Sequence, residues 1–194
     1  MISISALNNI HNKGFYGNYE NQNKEELIKI CEGKNLLIVQ IVQYKNISST
    51  TEIKIDGLSL TDEVLTVNSN DDTRILWNGP KNWLLISTKK DLIKDIKQSF
   101  KEEKFAVTDL SNSKAVIELQ GKNLKEILKK GCPINVNEMR KNNSFNSIFH
   151  NISITVDIID DNPEKIRILT LRSFGESLHH SITDACLEYG FENT

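Results

Sequence analysis

The chain has 194 residues, about one domain's worth by length. Its 24 Lys+Arg against 26 Asp+Glu leave a net charge of −2, so there is no cationic excess to hold nucleic acid or an anionic membrane. With 38% hydrophobic and 26% charged residues, the composition is that of a soluble globular domain, and it excludes collagen-like, coiled-coil, transmembrane and disordered classes.

Met1–Ile10 has no basic segment followed by a long apolar one, which argues against a secretory signal; the reading is a cytoplasmic protein. Residues 1–22 are polar, bear Gly14 and Gly17, and read as an N-terminal arm that either docks on another surface or is loose. The remainder, 23–194, reads as one domain built of two half-modules, about 34–110 and 111–191. Asn23-Lys-Glu-Glu26 has the form of a capping box and predicts a helix through Leu27, Ile28 and Cys31, closed by Gly33. Asn35–Tyr44 is apolar and β-branched, the pattern of a central strand. The segment 48–70 is ambiguous: Ile53-Lys-Ile55 alternates like a strand, whereas Leu60, Val64 and Leu65 suit a short helix.

Arg74–Trp77 and Trp83–Ser87 predict a hairpin around Asn78-Gly-Pro-Lys-Asn82. Thr88-Lys-Lys-Asp91 has the capping-box form ahead of Leu92, Ile93, Ile96 and Phe100 at helical spacing. Phe105–Thr108 and Lys114–Gln120 read as strands. Leu124, Ile127 and Leu128 mark a helix that stops at Gly131, with Pro133 beyond it. Ile152–Ile159 and Lys165–Arg172 form a second predicted hairpin around Asp160-Asp-Asn-Pro163. Ser173-Phe-Gly-Glu176 then opens a last helix, with Leu178, Ile182, Ala185 and Tyr189 inward and Gly190 at its end. The element order is that of an α+β fold of two successive split β-α-β (ferredoxin-like) plaits, the second without its last strand.

No phosphate-binding glycine loop and no HExxH occurs. The neighbours His179 and His180 point about 100° apart on a helix, so they make no ligand pair; His179 falls beside the apolar stripe and His180 toward solvent. His11 and His150 lack spaced partners. Cys31, Cys132 and Cys186 form no CxxC pair and read as buried thiols, Cys132 at a helix end that disfavours the thiolate. Asp71–Asp72 and Asp160–Asp161 lie in loops where aspartate serves turn bonding. The N-x-S triplets at Asn46, Asn142 and Asn151 carry no weight in a cytoplasmic chain. Trp77 and Trp83 flank one tight loop and are either core anchors of the hairpin or a partner surface. Arg172 ends a strand just before a helix and can tie that helix to a loop or to a partner's carboxylate.

Three stretches together carry a resemblance: RILWNGPKNWLLIS at 74–87, VTDLSNSKAVIELQGKNLKEILKKGCPINV at 107–136, and LRSF at 171–174 followed by a helix ending in Tyr189–Gly190. In this order and spacing, from about Asn35 to Gly190, the chain resembles the gamma subunit of heterotetrameric sarcosine oxidase. The resemblance implies a fold like the folate-binding domain of the glycine-cleavage aminomethyltransferase, and favours a helix within 48–65. It implies a structural or assembly role beside alpha, beta and delta subunits, in a complex that oxidatively demethylates sarcosine to glycine with oxygen and passes the one-carbon unit to tetrahydrofolate. FAD, FMN, NAD and tetrahydrofolate then belong to the partner subunits, and this chain holds no catalytic, cofactor or metal residue. Lys114 departs from the family pattern D-x-S-x-x-R, which has arginine there. Interface candidates are Trp77, Trp83, Asp109, Ser111 and Arg172. Two other readings compete: a free-standing folate-dependent transferase or folate-binding protein, with Asp109 and Glu118 as the nearest carboxylates for a pterin, and a plait module binding a small metabolite.

Overall fold

The computed structural model describes residues 5–20, 22–44 and 53–194, so the Asn46 triplet and the 48–52 part of the ambiguous segment lie outside the described residues. The strands are β1 (Gly14–Tyr16), β2 (Ile28–Glu32), β3 (Leu37–Gln43), β4 (Lys54–Ile55), β5 (Leu58–Ser59), β6 (Val67–Ser69) and β7 (Thr73–Gly79). They continue with β8 (Asn82–Ser87), β9 (Phe105–Asp109), β10 (Lys114–Gln120), β11 (Ser144–Phe149), β12 (Ile152–Asp161), β13 (Glu164–Leu171) and β14 (Phe191–Asn193). Three α-helices accompany them: α1 (Leu92–Ser99), α2 (Leu124–Gly131) and α3 (Gly175–Cys186). The α+β class is as the sequence indicates.

The chain divides into two compact units. One comprises the described residues of 35–112 with 142–145. Its sheet has the order β6-β7-β8-β3-β9. The order β7-β8-β3-β9, with α1 between β8 and β9, is that of a split β-α-β plait. In place of the first plait helix, the described residues carry the small β4–β5 hairpin, so the helix favoured by the resemblance is absent from 53–65. One face of the sheet presents Val39, Ile41, Ile75, Trp83 and Leu85 to Leu92, Ile96 and Phe100 of the α1 segment, forming a closed apolar cluster. Phe100 and Phe105 meet edge to face, with centroids 4.8 Å apart. The Thr88 capping box does not form. Its hydroxyl donates to Asp72 Oδ1 at 2.9 Å, and the residue before α1, Asp91, makes no side-chain cap bond.

The other unit comprises the described residues up to 34, with 113–141 and 146–194. Its sheet runs β1-β14-β2-β10-β13-β12-β11. The final plait strand expected to be missing is present as β14, displaced outward because β2 inserts between it and β10. The helix predicted over 27–33 is replaced by β2. Only a 3-10 turn at Lys24–Glu26 follows Asn23, whose side chain does accept from Glu25 N at 3.2 Å. Pairing with β10 on one side and β14 on the other overrides the local helix signal, and the alternation of buried Ile28 and Ile30 with exposed Lys29 is the pattern that tertiary pairing selects. Within the N-terminal arm, Leu7 is fully buried and β1 pairs with β14.

In this unit Ala115, Ile117 and Leu119 of β10 stand across from Thr170, Ile168 and Ile166 of β13 on the face beneath α3. Gly175 lets the helix come close, since a Cβ there would lie 2.9 Å from Ala115 Cβ. α3 starts at Gly175, after a 3-10 turn at Arg172–Phe174, with no side-chain cap from Ser173. It ends at Cys186, and Gly190, at φ +68°, makes the left-handed turn into β14.

Candidate functional site

Strand alternation puts Lys114, Val116 and Glu118 of β10 on the sheet face opposite α3. There Glu118 stands across from Arg167, Val116 from Leu169 and Lys114 from Leu171, while β12 sets Thr155 against Leu169 and Asp157 against Arg167. The face therefore has two chemically different regions.

The first is an ion network. Arg167 Nε donates to Glu118 Oε1 at 2.8 Å, its Nη2 lies 2.7 Å from the same carboxylate, and its Nη1 lies 3.8 Å from Asp157 Oδ2. Lys165 Nζ adds a fourth charge, 3.6 Å from Glu118. Glu118 is therefore neutralised inside the sheet and is not a free carboxylate for a pterin, which corrects that reading.

The second region is an open groove of about 370 Å³ beside Lys114. Its walls are apolar at Ile154, Leu169 and Leu171 and polar at Asn146, Ser147, Ser153 and Thr155. Thr155 Oγ1 donates to Asn146 Oδ1 at 2.7 Å, which fixes that wall. Lys114 is half-buried, and burial holds its amine below the usual lysine range. Its side chain makes no hydrogen bond or ion pair with any described residue. The 3-10 turn after β13 joins this end of β10 through Arg172 N donating to Ser113 O at 2.9 Å. On either side of Arg172, Leu171 is 49% and Phe174 46% exposed. The sequence points to Lys114 and Arg172 but not to the walls from β11 and β12; Ser144–Phe149 (SFNSIF) has no polar–apolar alternation to mark it as a strand.

The five residues singled out from sequence separate clearly. Trp83 is fully buried, with Nε1 donating to Thr61 O at 2.6 Å, so it is core and not a docking anchor. Trp77, directly across the hairpin from it, keeps partial exposure. Asp109 is exposed, and its Oδ1 accepts from Ser111 N at 2.9 Å and Ser111 Oγ at 2.6 Å. Ser111 Oγ in turn accepts from Ile38 N at 3.0 Å, so Asp-x-Ser closes a strand-end turn. Arg172 is partly exposed beside the groove.

The thiols are held protonated: burial pushes Cys132 up to about 11 and Cys186 up to about 12. Among the described residues no group of three or more His, Cys, Asp or Glu is placed to hold a metal ion. No helix among them is long and apolar enough to cross a membrane.

His179 is buried and meets His11, with His11 Nδ1 3.2 Å from His179 Nε2, while His11 Nε2 lies 3.0 Å from Thr194 O. Burial, with His11 and His180 nearby, lowers His179 to about 4. The unfolded chain, with an ordinary histidine near 6.5, binds this proton more readily than the folded one. Stability is therefore fully present above about pH 6.5 and falls as the pH drops toward 4, by at most about 3 kcal/mol. Urea midpoints measured from pH 7 to pH 4.5 check this: a His179→Leu chain should show a shallower decline than wild type, and parallel declines would refute it.

A model of the "Sarcosine oxidase, gamma subunit family" matches residues 50–188. The chain belongs to that family. The match takes in the tryptophan hairpin, the Asp109–Ser111 turn, Lys114 and the 171–174 turn. Sarcosine oxidase subunit gamma of Corynebacterium sp. (strain U-96) is 29% identical over 120 residues, which are 60% of this chain. The match spans 58% of that relative's length. Among solved structures, the gamma-family chain is similar to heterotetrameric sarcosine oxidase from Corynebacterium sp. U-96, crystallised with pyrrole 2-carboxylate. The TM-score is 0.75 at 24% identity, covering 86% of this chain and 87% of that one. It is also similar to glycine cleavage system aminomethyltransferase T from Bartonella henselae, at TM-score 0.60 and 11% identity over 91% of this chain and 56% of that one. At these identities the two structures speak to fold, and the gamma-family chain has the aminomethyltransferase-like α+β fold that its sequence resemblance implied.

Proposed function

We propose that this chain is the gamma subunit of a heterotetrameric sarcosine oxidase and that its role is structural, in assembly. The complex oxidatively demethylates sarcosine to glycine with oxygen as acceptor and passes the one-carbon unit to tetrahydrofolate. In this reading the alpha, beta and delta subunits carry FAD, FMN, NAD and tetrahydrofolate, this chain contributes no catalytic residue, and the complex is cytoplasmic, bound to neither membrane nor nucleic acid. The observation that carries the reading is the family match over 50–188. Chemistry supports it: Glu118 is tied to Arg167, the buried thiols are protonated, and the Asp109 carboxylate serves a turn. Trp77, Asp109, Ser111 and Arg172 retain surface and are the interface residues of this reading.

Native capture tests it. The tagged chain, co-expressed with its three partners and purified gently, should arrive in a large complex with a flavin absorption spectrum and sarcosine-dependent peroxide release. A colourless single species that binds a folate would overturn the reading in favour of a free-standing folate protein.

A further inference from the structure

We propose that the groove at Lys114 is a socket for an acidic side chain of a partner subunit, with the Lys114 ammonium as its counter-charge and the exposed Leu171 as its apolar rim. This rests on the subunit reading above. Lys114 stands out among the partly buried lysines. Lys125 donates to Met139 O at 2.9 Å, Lys165 pairs with Glu118 at 3.6 Å, and Lys81 has an interaction of its own. Lys114 has no such partner among the described residues, although burial already disfavours its charge. A half-buried ammonium without a counter-charge is a cost to the chain alone, and a carboxylate arriving from outside converts it into a charge-assisted hydrogen bond.

The shape argues for a protein segment as the source of that carboxylate. Small-molecule sites enclose most of their ligand, whereas this groove is open and one of its walls, Leu171, is nearly half exposed. Apolar surface next to a polar, hydroxyl-lined slot has the composition of an interface centre with one buried charge pair. The hydroxyls of Ser153 and Thr155 bring further polar atoms into the same slot.

The test co-expresses tagged wild type, Lys114→Glu, Lys114→Met and Lys114→Arg with the alpha, beta and delta partners, and measures the melting temperature of each chain purified alone. Lys114→Glu should lower recovery of the complex at least about tenfold, Lys114→Met by several-fold with loss of salt sensitivity, and Lys114→Arg should retain it. The separate Lys114→Met chain should melt at or above wild type, because the unpaired charge is gone, while Lys114→Glu and Lys114→Arg, which each keep a half-buried charge, should melt near wild type. If wild type assembles and Lys114→Glu assembles equally well, the socket is refuted while the subunit reading stands. If wild type captures no partner, both fall. If acetate raises the melting temperature of lone wild type but not of Lys114→Met, the groove takes a small carboxylate and the docking proposal is overturned.

Discussion

A Trp83→Ala chain should lose about 3–5 kcal/mol of stability, the usual cost of emptying a buried tryptophan site. Trp83 has no exposed surface and packs within the cluster that joins β3, β7, β8 and α1. The indole also donates to Thr61 O at 2.6 Å, so alanine leaves that carbonyl short of a donor as well as opening a cavity. A loss of this size is a large part of the margin of an ordinary domain. Trp83→Phe refills most of the volume and should fall between the two, its residual deficit reporting the lost N–H bond. Urea unfolding of the separate chain measures both. A Trp83→Ala chain as stable as wild type would refute the buried-core placement of the indole.

Arg167→Ala is the second large effect, expected at about 3–5 kcal/mol because it strips the cation from two carboxylates within the sheet. Arg167 and Glu118 have side chains 12% and 15% exposed, and Asp157 is wholly buried. Lys165, at 3.6 Å from Glu118, compensates only in part. Arg167→Lys keeps a charge but loses the Nε and Nη2 contacts to one carboxylate, and should cost less than alanine while still being measurable. The double variant Arg167→Ala/Glu118→Gln should be less destabilised than the sum of its parts, since each change removes the other's reason for being costly. Denaturant midpoints of the four chains close the cycle; strict additivity would show that water already screens the pair.

What could be read in advance depended on how far apart the deciding residues lie. The hairpin at 73–87 was legible because its turn residues and both apolar arms are adjacent in sequence. Likewise Leu124, Ile127 and Leu128 announce α2 by their own spacing. The 27–33 segment misled because a capping box and apolar spacing are local, while its pairing partners are β10 and β14, both remote in the chain. β14 was missed for the same reason. As three residues, Phe191–Asn193, it has no periodicity of its own and exists as a strand because β1 and β2 flank it. At the groove, Lys114 was visible as a departure from a pattern, but its missing counter-charge was not.

The sequence by itself determined the α+β class, most strand and helix positions, and the family, all of which rest on local alternation, turn chemistry and short motifs. Tertiary structure alone decided which tryptophan is buried, that Glu118 is neutralised by Arg167 forty-nine residues away, and that Lys114 opens onto a groove from four strands. The physical reason is register. Which side chains face each other across a sheet is set by hydrogen bonding between distant segments, and only after that pairing do burial and charge acquire neighbours.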